Sequence, residues 1–310
     1  MMTLPAIAAP MFLISTPQMV IESCKEGIIG TFPALNARTN EVLDKWMTEI
    51  KAELADYKNH YPYSKVSTWG VNFIAHRSNK RYSEDLEMIR KHQPPIVITS
   101  LGDPGPVAEV VHHYDGLVLS DVINPFFAKK AYEKGADGLV LVSSGAGGHG
   151  GILNPFAFVN EVRNFFDGPL VLAGTLSKGD DILAAEIIGA DFAYVGSRFI
   201  SVDESGAYEK YKDMVIDSDI DDIIYTDAIS GINGNYLIPS IVQAGMDPKN
   251  LQKPDKINFD KTNQSGAKAW KDIWGAGQGI GMVKERESMS EAVMKLRSEY
   301  EQAKQHVSLK

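Results

Sequence analysis

The sequence reads GADGLVLV at residues 135–142 and GADFAYVG at residues 189–196, an interval of 54 residues. In both places the glycine follows a stretch with helical spacing, and an apolar run follows the aspartate. Glycine often ends a helix because it adopts the left-handed conformation without steric cost. The repeat therefore indicates a helix–strand junction that is used twice, with room for one more strand–helix pair in between.

Six further apolar runs extend this pattern over the first 200 residues. All eight are rich in Val, Ile and Leu rather than alternating, as strands covered on both faces require. They span residues 6–10, 27–32, 68–74, 95–101, 116–122, 138–143, 169–174 and 192–199. Helical patterns lie between them, for example at residues 40–58 and 178–189. We therefore predict an α/β fold, a (β/α)₈ TIM barrel, with a doubly wound open sheet as the alternative.

The pattern changes after about residue 205, and we predict three parts. Residues 1–204 form the barrel core, and residues 205–285 form a helical lid that includes a polar segment at 248–264. Residues 286–310 form a C-terminal helix that packs on the barrel. Ser288 and Glu291 have the spacing of a capping box at the start of this helix.

Composition excludes several classes of protein. The 310 residues carry 31 Lys and Arg against 40 Asp and Glu, a net charge of −9, which argues against a nucleic-acid binder. The single cysteine, Cys24, excludes an intramolecular disulfide and a Cys-based metal site. No apolar run is long enough to span a membrane, and the first residues do not resemble a signal peptide. We expect a cytoplasmic protein with no metal site.

Five glycines lie within residues 145–151, directly after the sixth predicted strand. Glycines let the backbone approach a ligand closely and turn its N–H groups toward it. In a barrel this loop lies at the carboxyl ends of the strands, where active sites occur. The loop matches neither a P-loop nor a dinucleotide fingerprint. His149, inside the loop, is our candidate catalytic residue.

The loops after the seventh and eighth strands predict a phosphate site. Barrels frequently bind phosphate between these two loops through backbone N–H groups and a helix start. Gly174 and Gly196 lie at the two positions, and Ser197 offers a hydroxyl donor. Arg198 either adds positive charge or forms a surface ion pair.

These residues resemble those of the nitronate monooxygenases, once called 2-nitropropane dioxygenases, which are FMN-dependent (β/α)₈ barrels. The matching segments are residues 8–11, 70–74, 146–149, 172–174, 189–191, 194–199 and 274–279, in the expected order. The resemblance implies FMN as cofactor and His149 as the catalytic base. The FMN contacts expected with it are Ala9, Pro10, Met11, Asn72, Ser143, Ser144, Gly147, Gly148, Gly174, Tyr194, Val195, Gly196, Ser197 and Gln278.

The chain departs from the family pattern at three positions. Val142 and Gly145 stand where many members carry Gln and Glu, and Ser143 or Ser144 is expected to replace the lost flavin contact. Ser120 stands where related members are expected to have a histidine.

The resemblance implies oxidation of alkyl nitronates, and of neutral nitroalkanes, by O₂ to a carbonyl compound and nitrite. The alternatives are an FMN-dependent NAD(P)H oxidoreductase acting on a quinone or an enoyl-thioester, and a non-catalytic flavin-binding or phosphate-binding module. Tyr225, Asn235 and Tyr236 are candidates to orient an anionic nitro group, or else pack within the lid. The expected partners are a small-molecule substrate and O₂, and a homodimer is compatible with the sequence.

Overall fold

In the computed structural model, which describes residues 2–252 and 271–309, eight parallel strands close into a barrel. The strands are β1 (Ala6–Ala8), β2 (Ile29–Pro33), β3 (Trp69–Ile74), β4 (Ile96–Ser100), β5 (Leu117–Val122), β6 (Gly138–Val142), β7 (Leu170–Ala173) and β8 (Phe192–Val195). Each strand pairs with the next along the chain, and β8 pairs with β1 to close the ring. The predicted barrel is confirmed, and its closure excludes the open sheet.

Helices follow the strands along the chain, and most of them cover the outside of the barrel. They are α1 (Pro17–Lys25), α2 (Asn40–His60), α3 (Tyr82–His92), α4 (Gly105–His112), α5 (Pro125–Glu133), α6 (Pro155–Arg163), α7 (Gly179–Ile187), α8 (Glu209–Asp217), α9 (Ile238–Gln243) and α10 (Met289–Ser308). Thr16, Thr39, Asn124 and Asn154 cap four of them by accepting a hydrogen bond from a first-turn amide. None of the helices described could cross a bilayer.

Helix α10 completes the ring, because it packs between α7 and α1. Its capping box is present: Ser288 Oγ accepts from the Glu291 amide at 3.2 Å, and Glu291 accepts from the Ser288 amide at 2.8 Å. The apolar face of α10, which includes Val293 and Leu296, is fully buried. The last helix of the chain therefore takes the eighth helical position of the barrel.

The segment between β8 and α10 is not wholly helical, so the prediction of a helical lid was incomplete. Besides α8 and α9 it contains an antiparallel hairpin of β9 (Ile223–Thr226) and β10 (Gly234–Leu237). The first of these strands, Ile223–Thr226, consists of β-branched and aromatic residues, and Gly231 takes a φ of +80° between the two strands. Of the predicted polar segment, residues 253–264 lie outside the described residues. The boundaries at 204/205 and 285/286 stay predictions.

The barrel interior is apolar for most of its length and polar at one end. Inward side chains include Ile98, Leu119, Val140 and Val171. Residues two apart along a strand face the same side. Asn72, Ser100 and Asp121 therefore occupy inward positions near the ends of β3, β4 and β5, and a polar layer lies at the carboxyl ends of these strands. We call this end the barrel mouth.

Candidate active site

The loops that follow β6, β7 and β8 meet beside the barrel mouth. A Cβ on Gly145 would lie 2.5 Å from Thr175 Cγ2 and 2.8 Å from Gln278 Oε1. The Gln278 amide donates to the Gly145 carbonyl at 2.9 Å, and the Gly277 amide donates to Ser197 Oγ at 2.7 Å. The glycine turn at residues 274–279 thus joins all three loops, and a side chain on Gly145, whose φ is +80°, would displace Thr175 or Gln278.

The β1 and β8 loops lie side by side. The Ala9 amide donates to the Val195 carbonyl at 2.9 Å. A Cβ on Gly196 would meet only Ala9 Cβ at 3.7 Å and Met11 Sδ at 3.8 Å, which are ordinary contacts. Asn36 holds the β1 loop by donating to the Met11 carbonyl at 3.0 Å. Four predicted FMN residues therefore lie close together: Ala9, Met11, Val195 and Gly196. Pro10 lies between Ala9 and Met11 in sequence, and Gly196 leaves its backbone uncovered by a side chain.

The start of α7 is not open to a phosphate group. The Asp181 carboxylate accepts from the Ser177 amide at 2.8 Å and from the Lys178 amide at 2.9 Å, and Glu299 accepts from the Gly179 amide at 2.8 Å. The expectation that a helix start helps to bind phosphate is therefore not met at α7. The backbone at Gly174, which has a φ of +125°, and at Gly196 stays the candidate phosphate site.

Arg198 does not bring its charge to that site. Its guanidinium is buried and forms an ion pair with the buried Glu287. The sequence allowed a surface pair, and the structure shows a buried one. Ser197, by contrast, accepts from Gly277 through its oxygen, which leaves its hydroxyl hydrogen for another acceptor.

The remaining predicted FMN residues lie in different surroundings. Asn72 points into the barrel mouth and donates from Nδ2 to Ser100 Oγ at 2.7 Å. Ser143 is fully buried, and its hydroxyl donates to the Ala173 carbonyl at 2.6 Å. Ser144 is partly exposed. Tyr194 directs its side chain into the barrel interior. Gly147 and Gly148 lie in the glycine loop and are not buried.

His149 is held by a serine from the segment after β9. Its Nε2 lies 2.9 Å from Ser230 Oγ, which also lies 3.1 Å from the Ile232 carbonyl and 3.0 Å from the Tyr236 hydroxyl. A carbonyl can only accept, so the single hydrogen of Ser230 goes to Ile232. We infer that His149 Nε2–H and Tyr236 O–H both donate to Ser230. The Nε2–H tautomer places the basic lone pair of His149 on Nδ1.

Burial lowers the pKa of His149 from 6.5 to about 4, because desolvation disfavours the charged ring. The imidazole is therefore uncharged at neutral pH. An uncharged ring can accept a proton, but it is a poor proton donor.

The hairpin fixes the loop that carries His149. Tyr225 donates from its hydroxyl to the Gly150 carbonyl at 3.0 Å, and Asn235 Nδ2 donates to the Ala146 carbonyl at 2.7 Å. Tyr236 is fully buried. All three candidate substrate residues thus make contacts within the protein, and Tyr225 alone among them is exposed, at 37%. Their contact with a substrate stays a prediction.

Three residues at the site were missed from the sequence: Ser230, Ser100 and Asp121. Ser100 donates to Asp121 Oδ2, and burial raises the pKa of the Asp121 carboxyl from 3.8 to about 6. The sequence did contain a signal for Asp121. This residue lies two residues after Leu119 on the same strand, so its side chain faces the barrel interior as that of Leu119 does. Ser120, which we compared with the family, faces the other side of β5 and accepts from Thr99 at 3.1 Å.

The sequence of this chain matches that of a known protein family. A family model described as nitronate monooxygenase matches residues 1–299. A nitronate monooxygenase of Paraburkholderia phytofirmans is 25% identical over 311 residues, which cover 86% of this chain and 82% of that protein.

Two solved structures share the fold. FabK of Thermotoga maritima superposes with a TM-score of 0.79 at 19% identity, covering 99% of this chain and 96% of that one. A nitroalkane oxidase of Streptomyces ansochromogenes superposes with a TM-score of 0.78 at 20% identity, covering 98% and 97%. At such identities the likeness shows the barrel and its insertion, whereas the family match spans the residues of the site. The chain belongs to the nitronate monooxygenase family of flavin-dependent oxidoreductases.

Proposed function

We propose that this chain binds FMN and oxidises alkyl nitronates with O₂ to a carbonyl compound and nitrite. It also accepts neutral nitroalkanes once their α-proton has been removed. The observation that carries the proposal is the position of His149 in the glycine loop beside the barrel mouth, where its Nε2 lies 2.9 Å from Ser230 Oγ. The proposal needs only a small-molecule substrate and O₂ as partners.

The donor set beside the barrel mouth fits one phosphate group. At Gly196 the backbone allows close approach, because a Cβ there would make only ordinary contacts, and the Ser197 hydroxyl can donate a hydrogen bond. Asn72 offers a polar contact from the strand end. When bound, FMN would accept electrons from the substrate and pass them to O₂. A single phosphate site, without a dinucleotide fingerprint, favours FMN over FAD.

His149 is the residue that we assign as the base. Nitroalkane oxidation needs a base for the α-proton, and a nitronate needs none. An uncharged imidazole can accept that proton, and His149 would hold it until the substrate has reacted.

The test starts with the purified protein. Acid or heat should release a yellow chromophore that runs as FMN on chromatography, and the loaded protein should form nitrite from ethylnitronate and O₂. The same sample mixed with NADH under argon should keep its flavin absorbance. Release of FAD contradicts the cofactor assignment. Rapid bleaching by NADH without nitrite formation would favour the NAD(P)H-dependent reductase instead.

A further inference from the structure

Two buried polar atoms face the barrel interior without a hydrogen-bond partner among the described residues. They are Asp121 Oδ1 and the Tyr194 hydroxyl. The two groups lie close enough that, besides burial, the Asp121 charge raises the pKa of Tyr194 well above its ordinary value. Nearly all buried polar atoms in proteins are hydrogen-bonded, so this pair indicates a bound group at the barrel mouth.

The hydrogen-bond directions decide which oxygen of Asp121 can hold a proton. Asn72 Nδ2 donates to the Ile98 carbonyl at 3.1 Å and to Ser100 Oγ at 2.7 Å. Ser100 therefore accepts from Asn72, and its own hydrogen goes to Asp121 Oδ2. With Ser100 donating to Oδ2, the site for a proton on the carboxyl group is Oδ1, which has no hydrogen-bond partner among the described residues.

Among the residues that the structure describes, no positive charge from the neighbouring elements faces Asp121. On the inner face, β4 offers the Ser100 hydroxyl, β6 offers the apolar Val140 and Val142, and β8 offers the Tyr194 hydroxyl. The charged and titratable residues of α4 and α5 are exposed on the outside of the barrel, and they are Glu109, His112, Lys129, Lys130, Tyr132 and Glu133. A second negative charge placed beside an ionised Asp121 would therefore meet no compensating cation from residues 2–252 or 271–309.

We propose that Asp121 takes up a proton on Oδ1 when the flavin bound at the barrel mouth is reduced, and releases it on reoxidation. Reduction by two electrons and one proton makes the flavin an anion. A second proton, drawn from water, then neutralises the Asp121 carboxylate and avoids two adjacent buried negative charges. The inference rests on the flavin-binding part of the proposed function and not on nitronate oxidation.

The pKa of Asp121 in the absence of a neighbouring negative charge suits this role. Burial raises its pKa to about 6, and the hydrogen bond from Ser100 opposes that rise. The carboxyl is therefore mostly ionised at neutral pH, yet a modest added negative potential is enough to protonate it.

The test detects the protonation of the Asp121 carboxyl group and does not depend on enzyme turnover. The FMN-loaded protein is reduced with dithionite slightly above neutral pH, and a reduced-minus-oxidised infrared difference spectrum is recorded. We expect a carboxylic-acid C=O band that appears on reduction and shifts when aspartate is labelled with ¹³C. The band should be lost in Asp121→Asn. It should remain in Asp103→Asn, since Asp103 is half exposed and pairs with Lys134 at 2.7 Å outside the barrel.

The pH dependence of the midpoint potential gives a second readout. Above neutral pH, wild type should take up two protons per two electrons, and Asp121→Asn should take up one, so the slope should be twice as steep in wild type. Equal slopes, or no ¹³C-sensitive band in wild type, overturn the inference. The labelled wild type gives this answer even if Asp121→Asn loses FMN. A band without nitrite formation would refute nitronate oxidation alone, and a wild type that binds no flavin would refute both proposals.

Discussion

At the scale of single residues, His149 is the candidate base, and Ser230 Oγ lies 2.9 Å from its Nε2. His149→Asn should therefore lower turnover of neutral nitroethane by about 10²–10⁴-fold, the usual contribution of a positioned base. Oxidation of pre-formed ethylnitronate should fall far less, since that substrate has no α-proton to lose. Nitrite release from both substrates checks this, and equal losses would contradict the role of His149 as base.

The pH profile of wild type tests the same residue. Because His149 is basic only when uncharged, kcat/KM for nitroethane should fall on the acid side near pH 4, the lowered pKa, rather than near 6.5. An acid limb at the ordinary pKa of histidine would show that the ring is solvated in the working enzyme.

Asp121 should reduce the stability of the fold at neutral pH. Its folded pKa of about 6 lies above the ordinary value of 3.8, so its favourable contribution exists in acid and is lost as the pH rises through 6. Asp121→Asn should then increase the free energy of unfolding at pH 8 by on the order of 1–3 kcal/mol. The gain should shrink toward pH 4, and urea unfolding at both pH values measures it. A loss of stability at pH 8 would mean that the ionised carboxylate is well solvated.

At the scale of loops and strands, the backbone at Gly196 in the β8 loop is the part of the candidate phosphate site that a substitution can test. Gly196→Asp places a carboxylate beside the candidate phosphate site and should weaken FMN binding by on the order of 3 kcal/mol, roughly 100-fold in Kd. Gly196→Ala is the matched control, since its Cβ would make only ordinary contacts with Ala9 and Met11. Fluorescence titration with FMN separates the two. Undiminished binding by the Asp variant would place the phosphate elsewhere.

The eight strands were predictable because both faces of a parallel barrel strand are covered, which makes each a continuous apolar run. The ends of the strands were harder to predict. The eighth strand was predicted to reach residue 199, but it ends at Val195, and residues 197–199 form a 3₁₀ turn after Gly196. The glycine loop and His149 were visible because they are contiguous in sequence. Ser230 was not, because its contact with His149 spans 81 residues. The hairpin was missed because no alternation marks its short strands.

At the scale of the whole molecule, the buried carboxylate of Glu287, just before α10, forms ion pairs with Arg198 of the β8 loop and Lys295 of α10. Glu287 is 4% exposed and pairs with Arg198 and, at 2.7 Å, with Lys295. Glu287→Gln should cost about 3–5 kcal/mol, because Arg198 would be left buried with its charge uncompensated. Thermal unfolding measures the loss. Glu285→Gln, which removes an exposed partner of the same Lys295, should leave Tm nearly unchanged. Equal effects of the two variants would show that the buried pair adds no stability.

The position of α10 between α7 and α1 also affects how the protein is made. Ribosomes deliver a chain from its amino end, so α7 and α1 are synthesised long before the helix that fills the gap between them. Until Met289, Val293 and Leu296 emerge, the nascent barrel has an open apolar seam that chaperones or other nascent chains can contact. A ribosome stalled just before residue 289 should therefore present a protease-sensitive intermediate, and a synthetic peptide with the α10 sequence should protect it.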